Sequence, residues 1–177
     1  MTQQQRPQPV SGIAPPPAPR RSADWMFGGV YGTVLASALL AALDQTNQDY
    51  TPFYDASWVL VTAVAASLAH GYSHHMATHH EGGATHRWRL LSHALWNEWP
   101  MVAAVLPTVL LLVAAGIANW ESYTVTAVGL GLNTALLFGW GAFVAARVGH
   151  RIRSTLLIGL ADATIGLTVI AANALIK

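Results

Sequence analysis

Five stretches of this chain are close to twenty residues long and nearly free of charge. A helix crossing a bilayer needs about 20 mostly apolar residues. The stretches are 25–43 (WMFGGVYGTVLASALLAAL), 56–76 (opening ASWVLVTAVAASLAH), 100–119 (PMVAAVLPTVLLLVAAGIAN), 123–146 and 154–176. They predict an all-α fold, a multi-pass transmembrane bundle of about five spans with the lipid bilayer as its main partner. Composition agrees. Hydrophobic residues make up 53% of the 177 and charged residues 10%, where a soluble domain carries about 25% charged. A net charge of +1 offers no basic surface for nucleic acid. The lack of cysteine excludes disulfides, zinc–thiolate sites and iron–sulfur clusters.

Residues 1–22 read as a separate segment. Six of the nine prolines lie there, after three consecutive glutamines. Such a sequence buries too little apolar surface to offset its ordering entropy, so a disordered, partly polyproline tail is expected. Residues 23–177 form the membrane domain.

Basic residues orient the spans. With the N-terminus in the cytoplasm, Arg6, Arg20, Arg21, Arg87, Arg89, Arg147, Arg151 and Arg153 all fall inside, and only Lys177 outside. That is the bias the positive-inside rule requires. The opposing loops hold Asp44, Asp49, Asp55 and Glu121. A plasma-membrane protein with a cytoplasmic N-terminus and an external C-terminus is therefore expected. Trp25, Trp58, Trp99 and Trp120 fall near predicted span ends, where indole rings prefer the interface. Residues 85–99 place Trp88, Leu91, Leu95 and Trp99 opposite His86, Arg89, His93 and Asn97. That pattern suits an amphipathic interfacial helix or a packed connector. Pro107 should kink the third span by removing a donor to Ala103.

Two stripes of small residues invite close helix packing. Gly28, Gly32 and Ala36 mark the first span; Ala127, Gly131, Ala135 and Gly139 mark the fourth. They could serve the bundle itself, a homo-oligomer or a membrane partner.

The order of VYGTVLASALLAAL, SLAHGY, NEWP and LFGWGAFVAARVGHR resembles that of small multi-pass membrane proteins of high-GC actinobacteria. The resemblance covers most of the chain after the tail. It implies the membrane class and supplies no catalytic residues.

Seven of the eight histidines fall within residues 70–93. On a continuous helix, His70 and His74 stack at i, i+4, as do His75 and His79, with His80 adjacent. Paired imidazoles at that spacing can chelate one transition metal, so Zn, Ni, Cu or Fe is a candidate ligand of His70, His74, His75, His79 and His80. The alternative is a weakly basic membrane-exit segment. A third reading is a pH-responsive cluster, since histidine titrates near pH 6.5. The repeated His-x-x-x-His-His resembles the histidine boxes of membrane di-iron oxidases. Those enzymes spread their boxes over several helices, so the comparison is remote and no catalytic residue is assigned.

Asp162 stands inside the fifth span. A carboxylate at membrane depth costs roughly 2.5–3.5 kcal/mol on insertion scales, so it needs a partner or water. Depth counted along the helices pairs Asp162 with His70 in a proton or cation relay, with Asn133 as third member. Packing hydrogen bonds are the alternative for both Asp162 and Asn133. Two functions follow: a small cation or proton transporter or sensor, and a non-catalytic membrane subunit or scaffold.

Overall fold

A computed structural model describes residues 21–44, 51–77, 92 and 96–176. The described chain is helical and contains no strand. Five long helices account for nearly all of it: α1 (Arg21–Leu43), α2 (Pro52–Ala77), α3 (Trp99–Ala118), α4 (Ser122–Arg147) and α5 (Ile152–Ile176). Each is long and apolar enough to cross a membrane. The spans read from hydropathy are recovered within a few residues. The proline tail, the outer loop at 45–50 and most of the 85–99 segment lie outside the described residues.

Helix ends follow local chemistry. Pro52 opens α2, and Pro100 sits in the first turn of α3, where a missing N–H costs nothing. Because α2 begins at Pro52 rather than 56, Trp58 stands nearly two turns inside the helix, not at its end. Asn119 closes α3 in the left-handed conformation at φ 53°, its N–H donating to the carbonyl of Ala115. Gly149, at φ 83°, stops α4. There His150 N–H donates to Ala145 O at 3.2 Å and Gly149 N–H to Ala146 O at 3.0 Å. The short connections 119–121 and 148–151 force α3, α4 and α5 to run antiparallel in turn.

α1 is the hub and touches all four other helices, while α4 packs most extensively on α5. The core is built of Ala36 and Leu40 from α1, Ala56, Val59 and Ala63 from α2, Val105, Leu112 and Ala115 from α3, and Val125 and Leu130 from α4. Alanine recurs because these helices approach closely. A Cβ on Gly28 would lie 3.2 Å from Met101 N, and one on Gly32 would strike the Met101 carbonyl oxygen. The first-span stripe is therefore consumed inside the molecule, against α3. Large apolar side chains cover the outside, Leu110, Ile117 and Leu157 among them. In water that would be a severe liability; against hydrocarbon it is neutral, and the architecture is compatible with an integral membrane protein.

Candidate functional site

α2 stays helical through His74 and His75 to Ala77, so His70 and His74 do share a helix at i, i+4. His79 and His80 lie outside the described residues, and so do the side chains of His74 and His75. Among the described residues no group of three metal-ligating side chains occurs. What the structure places is His70. Its Nε2 stands 3.9 Å from Oε1 of Glu98, an ion-pair separation rather than a hydrogen bond. Glu98 is the residue just before α3 and is nearly buried, with a side-chain exposure of 11% against 35% for His70. Phe27 of α1 stacks on the imidazole at 5.3 Å between centroids, 25° from parallel. Phe27 in turn stacks on Tyr31 at 5.8 Å.

Three helices thus meet at one histidine. α2 supplies the imidazole, the start of α3 the carboxylate and α1 the aromatic face. In sequence, His79, His80, His86 and His93 fall between α2 and α3, while His74 and His75 lie on α2 itself. The carboxylate lies at a helix N-terminus, where the unpaired backbone N–H groups favour negative charge. The pair is an attraction between full charges only while His70 holds a proton.

The expected trio of Asp162, His70 and Asn133 is distributed over three separate helix contacts. Asp162 is half-buried and lies in the α4–α5 seam against Gly141, where a Cβ would strike its Oδ2. Gly159 packs on the same glycine, with its Cα 3.0 Å from that Cβ position. Among the described residues no basic side chain pairs with Asp162. The nearby Thr164 hydroxyl donates to the carbonyl of Ala161 at 2.6 Å. Asn133 belongs to the α3–α4 contact: Thr108 Oγ1 donates to its Oδ1 at 2.7 Å, and both residues are fully buried.

The fourth-span stripe is not used for packing within the bundle. Ala127, Gly131, Ala135 and Gly139 all face outward, and a Cβ on Gly131 or Gly139 would meet nothing within 4 Å. The face of α4 that packs inward carries Gly129, Asn133, Leu137, Gly141 and Ala145. Both faces are rich in small residues, so spacing alone could not choose between them. Glu98, absent from the sequence-derived site, carried one signal. It directly precedes the Trp-Pro that opens a span, at the same bundle end as His70.

No family model, no curated protein and no solved structure matches this chain.

Proposed function

We propose that the protein is a small membrane sensor of protons or transition-metal cations, and that its working element is the junction of α2 and α3. The observation carrying this reading is the His70–Glu98 pair, 3.9 Å apart and capped by Phe27. An imidazole gains or loses its proton between pH 5 and 8. Protonation adds a positive charge opposite a nearly buried carboxylate and draws α2 toward the start of α3; deprotonation removes that attraction. Residues 74–93 supply six further imidazoles in sequence, each of which can take up a proton or a metal ion. The buried hydroxyls of Thr33 and Ser37 are engaged within α1, donating to their own helix at 2.8 and 2.9 Å.

The chain has no cysteine, so spin labels attach cleanly to Tyr72→Cys and Trp96→Cys, both exposed positions on either side of the junction. The distance between labels should shorten as pH falls from 8 to 5. His70→Gln and Glu98→Gln should each flatten that response. A response of equal size in either variant would remove the pair from the mechanism. A wild-type distance independent of pH would remove the proton-sensing reading altogether.

A further inference from the structure

Near the Arg147 end of the bundle, α1, α3 and α4 leave an open-sided groove of about 280 Å³. Its origin lies in the packing. α1 contacts both α3 and α4 more widely than those two contact each other, so they part on the side away from their tight connection. Small residues keep the parting open: Ala103 and Ala104 on α3, Ala135 and Gly139 on α4. Pro107 lines the deeper part. From Pro100 to Pro107 the groove runs about 10 Å along the helix at 1.5 Å per residue.

The walls are apolar, and the medium outside five such helices is hydrocarbon. Trp25, Trp99 and Trp140 complete the lining, with Trp25 edge-on to Trp140 at 5.0 Å. Trp25 also meets Phe143 edge-on at 6.3 Å. The guanidinium of Arg147 lies over that same Phe143 ring, its Cζ 4.8 Å from the centroid. Arg147 is exposed, and among the described residues no carboxylate pairs with it. A cation therefore stands two rings away from an apolar slot. A helix is about 10–12 Å across with its side chains, too broad for a recess of this size. An extended hydrocarbon chain is narrow enough. Arginine matches phosphate oxygens through two parallel N–H bonds.

We propose that this groove holds one acyl chain of an anionic phospholipid, with the lipid phosphate on Arg147.

The test is native mass spectrometry of the full chain released from micelles containing equal phosphatidylglycerol and phosphatidylcholine. Wild-type protein should retain phosphatidylglycerol in preference. Gly139→Leu adds bulk at a lining residue where a Cβ meets nothing within 4 Å, so it narrows the groove. It should lower lipid retention about tenfold, whereas Gly131→Leu, an equally open position outside the groove, should not. Arg147→Gln should keep the acyl chain but lose the headgroup preference, an effect of about tenfold for one charge-assisted contact. A thermal melt of Gly139→Leu close to that of wild type shows that narrowing, not unfolding, is being read. Equal retention by wild type and Gly139→Leu would overturn the proposal. So would equal loss in Gly139→Leu and Gly131→Leu, no lipid preference in the wild type, or a Gly139→Leu effect on dimer content instead of on bound lipid.

Discussion

Replacing Thr108 and Asn133, singly and together, separates a bond that stabilises the bundle from a polar group that burdens it. Thr108 Oγ1 donates to Asn133 Oδ1 at 2.7 Å where both residues have zero exposure. The same amide carries a buried Nδ2 with no hydrogen-bond partner among the described residues. Interhelical bonds of this kind contribute about 0.6 kcal/mol on average and up to about 1.7. A buried unpaired polar group costs about 1–3 kcal/mol. Thr108→Val keeps the shape and removes the only donor to Oδ1, so it leaves the whole amide unpaired and should destabilise by about 0.6–1.7 kcal/mol. Asn133→Leu removes the bond and the unpaired nitrogen together. Its net effect should lie between neutral and about 1 kcal/mol stabilising. Freed of its partner, the Thr108 hydroxyl can turn to a carbonyl one turn back in α3. In the Asn133→Leu background, Thr108→Val should therefore cost only a few tenths of a kcal/mol. Reversible unfolding in mixed micelles measures all four proteins. Two additive single effects would show that the pair does not interact, and an Asn133→Leu loss larger than that of Thr108→Val would show that the unpaired nitrogen is no burden.

Glycine positions should give opposite signs. Gly32→Ala drives a methyl into the Met101 carbonyl and should cost about 1–3 kcal/mol, as overpacking does. Gly131→Ala meets nothing and should gain up to about 1 kcal/mol from helix propensity. Gly141→Ala displaces the Asp162 carboxylate and presses on Gly159; its cost in micelle unfolding should shrink in an Asp162→Ala background, with a coupling of about 0.5–3 kcal/mol. Reporters active only in the cytoplasm should work when fused after Arg89 or Arg151 and fail after Gln48, and the reverse pattern would invert the orientation given by the basic residues. The protein with His74, His75, His79 and His80 all changed to Ala should bind Zn²⁺ more weakly than wild type in calorimetry. Wild-type affinity should itself fall as pH drops through about 6.5, because a protonated imidazole cannot ligate.

What the sequence made legible, and what it did not, divides along one physical line. A span announces itself through composition, because hydrocarbon tolerates no unpaired backbone and few charges over about 20 residues. That requirement acts on every residue of α1 to α5, so their number and near-ends could be read from hydropathy. Which helices touch depends on the rotation of each about its axis. In a soluble protein the polar face reveals that rotation; here both faces are apolar. The two glycine stripes illustrate the result. Gly28 and Gly32 pack inward on Met101, while Gly131 and Gly139, equally regular in spacing, face outward. The same ambiguity applies to the partner of Asp162. Depth can be counted at about 1.5 Å per residue, but azimuth cannot. Asp162 turns to Gly141 in the α4–α5 seam, and His70 turns to Glu98 and Phe27 where α1, α2 and the start of α3 meet. Glu98 was the harder residue to foresee, since a carboxylate before a helix is ordinarily solvated. It becomes a site component only because Phe27 and His70 close over the start of α3. The sensing reading proposed above therefore rests on the bundle end, where charge and helix terminus coincide, and not on Asp162 in the α4–α5 seam.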